Sequence, residues 1–427
     1  MNLSSQKILN KKILIYGLGK SGISAFDFLK KKNFVHCYDD KKILNTKNII
    51  KNYKKINNYN FDYIVISPGI NIKTCKLKKF LKKNNKKIIT DLDIFYKYYK
   101  KNKSITITGT NGKSTTSKLL FDILKEHKKD VRLCGNIGNP ILLEKKITSK
   151  TIFVIEASSY QLEYSKEYKT NHAAILNITP DHLERHGTIS KYADAKIKLI
   201  KNQGTKDFAY LNLNNKFLKK KIKEKKLNCK IIKVKNCNFR IKNNFFKNAG
   251  NKENLSFVLE ISKKLKLNRR KIFKVINNFV GLKYRQEIVY DSNNILCIND
   301  SKSTSFSSSI NILSSLKNVF WLVGGIPKKG DKFYLNKKIN KKTKIYIFGN
   351  NISFFTKQFR NKLTYKVNKS LEESLKNIIK DLKNFNEKKI ILFSPAAASF
   401  DSFNDFEERG KYFNYLFKKY KTKIINA

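Results

Sequence analysis

Short apolar runs alternate with stretches of helical periodicity along the whole chain, and each run has the length of a strand rather than of a helix. The first run is Ile13-Leu14-Ile15-Tyr16, followed by a glycine-rich turn and a helical pattern through Phe28 and Leu29. Further runs at Phe34 to Tyr38, Tyr63 to Ile66 and Ile88 to Ile89 repeat the alternation, and the block closes in a Tyr/Lys-rich stretch, Tyr96 to Lys103. A second block opens at Ile105-Thr106-Ile107, with strands predicted at Thr151 to Ile155 and Ala173 to Ile178. From Asn202 to Asn248 the chain is rich in Lys and Asn, and its weak periodicity places no element firmly. Helices predicted over Lys252 to Leu265 and Arg270 to Phe279 lead to Gly281-Leu282. A third block alternates strands at Leu296 to Ile298, Val319 to Val323, Lys344 to Phe348 and Lys389 to Phe393 with helices. Alternation of this kind predicts parallel sheets covered by helices, an α/β fold. The breaks place three domains at residues 1–97, 98–281 and 282–427.

Composition changes this picture at one point. The net charge of +59 taken alone suggests a nucleic-acid binder. The basic residues, however, are nearly all Lys, they are scattered, and they come with abundant Asn, Ile, Phe and Tyr. Arg, the usual reader of phosphate forks and bases, is sparse. The expectation is a solvated lysine surface of compositional origin and no specific nucleic-acid partner. The six cysteines form no C-x-x-C pair, which argues against a zinc ribbon or a disulfide framework and fits a reducing compartment. Met1 to Lys12 holds no signal-peptide run and no later stretch has membrane-span length, so a cytoplasmic protein without membrane association is expected.

The chemistry is concentrated at strand ends. Gly17-Leu18-Gly19-Lys20-Ser21-Gly22 follows a strand and opens a helix, and Asp39 ends the next strand. This is a Rossmann-type fingerprint for a nucleotide diphosphate, which taken alone would indicate a nicotinamide oxidoreductase. The octet Thr108-Gly109-Thr110-Asn111-Gly112-Lys113-Ser114-Thr115 is more specific. Gly109 and Gly112 permit a nest of N–H groups around phosphates, Lys113 can reach the terminal phosphates, and the Ser114 hydroxyl can sit on Mg²⁺. Glu156, at the end of its strand, stands where a metal-binding carboxylate of a nucleotide hydrolase fold would. Asn177 to Gly187 carries His182 and His186 at i, i+4; Leu183 stands where a zinc protease would need Glu, and Pro180 before Asp181 reads as a helix start. His182 is the candidate second metal ligand, and His186 is expected to make a local hydrogen bond. Clusters at Asn299 to Thr304, Gly324 to Asp331 and Ser394 to Gly410 place Lys, Thr and Ser at third-block strand ends, suited to a small dicarboxylate. A basic nucleic-acid-binding ATPase would leave these clusters unexplained, and a dehydrogenase would leave the phosphate loop unexplained.

With these motifs in this order, together with Ser67-Pro68-Gly69-Ile70 and Gly135-Asn136-Ile137-Gly138, the chain resembles the Mur ligase family from end to end. Within it the resemblance is to members that add D-glutamate to UDP-N-acetylmuramoyl-L-alanine in peptidoglycan synthesis. Folylpolyglutamate-type ligases are relatives expected to carry Gly where Ser114 stands, and the diaminopimelate- or lysine-adding members should carry Asp-Asn-Pro-Arg, which is absent here. The resemblance implies a Rossmann-like first domain, a central P-loop ATPase-like parallel sheet and a Rossmann-like third domain. It implies that Lys20, Ser21, Asp39, Ser67 and Asn136 bind the UDP substrate. ATP would be held by Gly109 to Thr115, Asn251, Asn254, Arg285 and Asp300, and D-glutamate by Lys302, Thr304, Lys328, Ser399 and Phe406. Lys113, Glu156, His182 and Lys196 would be catalytic, with Mg²⁺ in two sites formed by Ser114, Glu156, His182 and Lys196, the last as a carbamate. Tyr192 to Lys196 is expected to start a helix, and Asp194 is the one evident extra carboxylate nearby. The enzyme so implied is a monomer acting through an acyl phosphate. The family usually has His where Gly250 and Tyr284 stand in this chain.

Overall fold

A computed structural model of the chain describes residues 7–41, 48–237, 241–335, 339, 342–382 and 387–427. Residues 1–6 of the Met1 to Lys12 segment and residues 238–240 of the Lys/Asn-rich stretch lie outside the described residues. Among the described residues the strands form three sheets.

The first sheet contains β1 (Lys12–Tyr16), β2 (Phe34–Tyr38), β3 (Tyr63–Ile66) and β4 (Ile88–Ile89) in the order β2-β1-β3-β4, all parallel. Ile13, Leu14 and Ile15 are fully buried, as a strand covered on both faces requires. The second sheet contains β5 (Ser104–Thr108), β6 (Val131–Gly135), β7 (Ile152–Glu156), β8 (His172–Ile175), β9 (Phe208–Leu211) and β10 (Lys230–Lys233). Its order is β10-β9-β8-β5-β7-β6, again all parallel. The third contains β11 (Glu287–Asp291), β12 (Ile295–Asn299), β13 (Val319–Gly324), β14 (Lys344–Phe348), β15 (Tyr365–Val367) and β16 (Lys389–Phe393) in the order β11-β12-β16-β13-β14-β15. There β11 runs antiparallel to β12, an edge hairpin on an otherwise parallel sheet.

The chain folds as two compact units. The first comprises Met1–Ile178, Arg185–Cys237 and Asn254–Ile276; the second comprises Thr179–Glu184, Asn238–Glu253 and Asn277–Ala427. The first two sheets therefore share a unit, and one apolar cluster runs through both, from Ile13, Leu92 and Phe95 to Phe153, Tyr168 and Leu218. The helix Asp91–Tyr99 sits at their seam. Its capping box joins Thr90 and Asp93, and Asp93 Oδ1 also accepts from Ser165 Oγ and the backbone N–H groups of Lys166, Glu167 and Tyr168 at 2.8–3.0 Å. A buried carboxylate with that many donors fastens the first sheet's last helix to the second sheet's connections. The second unit has its own apolar clusters on the two faces of the third sheet, one around Trp321 and Phe359 and one around Phe393 and Phe413.

The expected strands and helices form with shifts of a few residues at their ends. Strands β6, β9, β10, β11 and β15 were not expected, and each has a charged or polar residue inside or beside a short apolar core.

Candidate functional site

The phosphate loop leaves β5 and enters the helix Lys113–Glu126 with Gly112 as its N-cap, at φ +86°. A Cβ on Gly112 would lie 2.0 Å from Asn254 Oδ1, so only glycine fits both the turn and its neighbour. The loop is braced from β8's far side: Asn177 Oδ1 accepts from Asn111 N at 2.9 Å, Asn177 Nδ2 donates to Asn111 O at 3.2 Å, and Thr110 N donates to Asn177 O at 3.0 Å. Ser114 and Thr115 are buried at the start of the helix. The Lys113 ammonium is folded back onto the loop, donating to Gly109 O at 2.9 Å and Thr110 O at 2.7 Å. Those carbonyls are what a cation finds when a nest of N–H groups has turned its oxygens the other way.

Glu156 is the last residue of β7 and is 1% exposed. Asn136 Nδ2 donates to its Oε1 at 2.6 Å, while Oε2 is buried with no hydrogen-bond partner among the described residues. A buried carboxylate oxygen without a donor is costly unless a cation completes it. The donor set of one hydroxyl, Ser114, and one such carboxylate fits a hard divalent cation that keeps several waters. No group of three or more His, Cys, Asp or Glu side chains that could hold a metal occurs among the described residues.

Lys196 lies inside the helix Ile189–Lys201 rather than at its start, because Thr188 caps that helix seven residues earlier than Ala195. It is 1% exposed, donates to Gly109 O at 2.8 Å and Thr108 Oγ1 at 3.4 Å, and its Nζ lies 4.7 Å from the Tyr192 ring centroid. Lys196 thus reaches the base of the phosphate loop. Asp194 does not serve the same place: it pairs with Lys221 at 3.1 Å and Lys225 at 3.6 Å. The helix expected at Pro180 begins instead at Leu183 and lasts one turn, Leu183–His186, since His182 sits at φ +53° and interrupts helical geometry. His186 Nε2 pairs with Ser159 Oγ at 3.1 Å, 27 positions away.

In the first sheet, Gly17 (φ +97°) starts the turn and Gly19 precedes the helix Lys20–Leu29. Lys20 is exposed and Ser21 half-buried. Asp39 accepts from Leu18 N at 2.6 Å and Lys41 N at 2.8 Å, and Ser67 Oγ donates to Gly17 O at 2.6 Å. Both residues thus close the glycine turn in the structure as it stands. Asp91, buried beside Ser21 and Gln161, has its carboxyl raised to about 6 by burial.

The second unit holds the remaining candidates. His182 has ring nitrogens 3.4 Å from Asp181 Oδ2 and 3.5 Å from Glu184 Oε1. Lys328 meets Asp181 Oδ1 at 2.6 Å. Nearby Asp331 accepts from Phe306 N at 2.8 Å and is pushed up to about 6 by burial. Phe406, first residue of the helix Phe406–Ile425, has Lys302 Nζ 3.9 Å and Arg285 Cζ 5.7 Å from its ring centroid, so one ring gathers two cations assigned to different ligands. Asp300 accepts from Gln286 N at 3.1 Å and Ser394 Oγ at 3.0 Å, and burial raises its carboxyl to about 7. Asn251 Nδ2 donates to Phe245 O at 2.9 Å and Gln286 Oε1 at 3.1 Å. Tyr284 and Gln286, flanking Arg285, are both left-handed, at φ +60° and +53°. Ser399 is buried and Thr304 half-buried. Arg409, within a motif but given no role from sequence, is 1% exposed and donates to the carbonyls of Ser301 at 2.7 Å, Ala397 at 2.9 Å and Gly324 at 3.5 Å, tying three strand ends together. Asn177, Asn254's steric role and Arg185 were also missed; the signal for Asn177 was its place just past a strand end and opposite the loop.

Comparison with known proteins matches residues 107–278 to the Mur ligase middle domain, the stretch that holds the phosphate loop, Glu156 and Lys196. The chain is 34% identical to a UDP-N-acetylmuramoylalanine–D-glutamate ligase of Rickettsia felis, over 97% of this chain and 98% of that one. It is 33% identical to the ligase of the same description from Rickettsia prowazekii, over 96% and 98% of the two chains. In fold it is similar to the UDP-N-acetylmuramate–alanine ligase of Thermotoga maritima, with TM-score 0.57 at 17% identity, covering 97% of this chain and all of that one. Three α/β sheets in this order, a phosphate loop with a buried metal-type carboxylate beside it, and end-to-end identity above 30% place the chain in the Mur ligase family, on the branch of the UDP-N-acetylmuramoylalanine–D-glutamate ligases.

Proposed function

We propose that the chain joins D-glutamate to UDP-N-acetylmuramoyl-L-alanine at the expense of ATP. The observation that carries this reading is the braced phosphate loop with the unpartnered Glu156 oxygen beside it, in a chain that matches D-glutamate-adding ligases end to end. The alanyl carboxylate attacks the γ-phosphorus of ATP, ADP leaves, and an acyl phosphate forms; the D-glutamate amine then displaces phosphate and loses a proton as the amide forms. A carboxylate at neutral pH is a poor electrophile, which is why ATP is consumed. The protein's part is positioning and charge neutralisation.

In this reading the Gly109 to Thr115 backbone cradles the phosphates, and Lys113 exchanges its loop carbonyls for phosphate oxygens. Asn251, Asn254, Arg285 and Asp300 complete the nucleotide site. Lys20, Ser21, Asp39, Ser67 and Asn136 take the UDP substrate. Lys302, Thr304, Lys328, Ser399 and Phe406 take D-glutamate. Mg²⁺, one ion at Ser114 and Glu156 and a second with His182, would neutralise phosphate and carboxylate charge when bound. Lys196 carries a carbamate: the ammonium gives up one proton, the neutral amine adds to CO₂ and releases a second, and the resulting anion supplies the carboxylate Asp194 does not. Residues 1–97, 98–281 and 282–427 are the corresponding UDP-substrate, ATP and amino-acid domains of a cytoplasmic monomer.

The test is phosphate release with the UDP substrate and a panel of amino acids. ADP and phosphate should form only with D-glutamate present; equal turnover with L-lysine or diaminopimelate would move the chain to another branch. In the same assay Lys196→Ala should lose activity that acetate partly restores, and wild-type turnover without additive would remove Lys196 from the site.

A further inference from the structure

The Ser67-Pro68-Gly69-Ile70 loop is held by more than its own domain. It packs against the first glycine turn: a Cβ on Gly17 would lie 2.7 Å from Ser67 Cβ and 2.9 Å from Ile70 Cγ1, and Ser67 Oγ donates to Gly17 O at 2.6 Å. From the other side comes Arg185, of the second sheet's domain. Its Nη2 donates to Ile70 O at 2.8 Å and Nη1 to Gly69 O at 3.4 Å, while Nε donates to Glu163 Oε2 at 2.8 Å. The guanidinium lies 4.6 and 5.4 Å from the ring centroids of Tyr160 and Tyr164, and Tyr164 Oη accepts from Ile72 N at 3.2 Å. Side-chain exposure is 6% for Arg185 and 13% for Glu163, so these are dry, charge-assisted contacts rather than a solvated surface pair.

We propose that Arg185 is a positioning residue for the UDP substrate: its planar fork fixes the Ser67 to Ile70 loop from the neighbouring domain and thereby sets the shape of the first glycine turn that loop supports. This rests on the functional reading above and adds to it a residue outside the first domain. A trans peptide points its C=O and N–H to opposite sides, so anchoring Ile70 O on Arg185 turns the Asn71 N–H away from the guanidinium. Glu163 and the two tyrosine rings orient the fork, so each bond it makes costs little side-chain freedom. A lysine at this position keeps the charge and the Glu163 pair but cannot hold two carbonyls and a carboxylate in one plane.

The experiment is titration of wild type, Arg185→Lys and Arg185→Ala with UDP-N-acetylmuramoyl-L-alanine and, separately, with a non-hydrolysable ATP analogue. Arg185→Lys should bind the UDP substrate about tenfold more weakly, the scale of one lost charge-assisted hydrogen bond, with ATP-analogue affinity and kcat at saturation near wild type. Millimolar guanidinium should restore UDP-substrate binding to Arg185→Ala in part and should do nothing for Arg185→Lys. Unchanged UDP-substrate affinity in Arg185→Lys overturns the proposal. So does an equal fall for both ligands, which would mark a general loss of folding. If wild type itself does not bind the UDP substrate, the functional reading falls, and this inference with it.

Discussion

Two glycine turns in this chain follow a strand and open a helix, and they are finished with opposite polarity. In the first, an acid closes the turn: Asp39 accepts from Leu18 N, inside the fingerprint. In the second, a base does: Lys113 donates to the carbonyls of Gly109 and Thr110. In the first turn the Leu18 N–H is already taken by the carboxylate, so the diphosphate of the UDP substrate proposed for it would draw on the other donors there. A turn whose carbonyls hold an ammonium keeps its N–H side for an anion, and the ammonium can leave with it. The same glycine spacing thus serves two chemistries, and the side chain that closes the turn distinguishes them. The bracing differs as well. The second turn is interlocked with Asn177, just past a strand of its own sheet, whereas the first depends, through Ser67 and Ile70, on Arg185, which lies 115 positions from Ile70 and follows a strand of the second sheet.

The largest effect expected from this contrast is at Lys113. Lys113→Ala should lower kcat by about 10³ or more if the ammonium moves to charge that develops at the transferred phosphate, with UDP-substrate affinity unchanged in a binding titration. A modest fall in kcat would mean that the lysine only braces the loop. Next comes Gly22→Ala in the first turn, where a Cβ would lie 1.8 Å from Gly17 O. Overpacking should cost about 1–3 kcal/mol or more, read as a lowered denaturation midpoint, because the closest atom is backbone and cannot swing aside as a side chain would. Tolerance without loss would show that the first turn is looser than its packing implies. The smallest effect is a pH slope beside the same turn. Asp91 is raised to about 6 by burial, against roughly 3.9 in an unfolded chain. Between those values the folded state holds a proton that the unfolded state has released, so stability should fall as pH rises through that window. Asp91→Asn should flatten the slope, and an unchanged slope would assign it to another group.

Much of this was legible in the sequence. Strands of consecutive β-branched and aromatic residues, such as Ile13 to Tyr16 and Val319 to Val323, stood out because parallel strands are buried on both faces. Strands with a charge inside them did not. Arg132 interrupts β6, and β10 is a Lys-Ile-Ile-Lys edge whose first three residues include exposed positions, so neither shows an apolar run. The antiparallel β11 has a half-exposed pattern that matches neither a buried strand nor a helix. Motifs were readable where glycine and lysine spacing is dictated by phosphate geometry. Contacts made over long sequence separations were not: nothing in the sequence pairs Asn177 with Asn111, Arg185 with Ile70, or Asp93 with the loop at Ser165 to Tyr168. The lysine excess illustrates the opposite error, since on composition alone Lys196 would be a surface residue, and it is among the most deeply buried side chains in the protein.

The apolar cluster common to the first two sheets has a consequence for how the chain is made. Phe95 is complete in the growing polypeptide well before the rings it meets in the second sheet's domain, Phe153 and Tyr168. At about 5–20 residues per second, the roughly 70 residues between Phe95 and Tyr168 take on the order of 4–15 s to synthesise. For that interval the emerging first sheet carries an uncovered greasy face and an Asp93 without its partner loop. That is a window in which a nascent chain can stick to its neighbours, and in which a chaperone holding the first hundred residues would matter most.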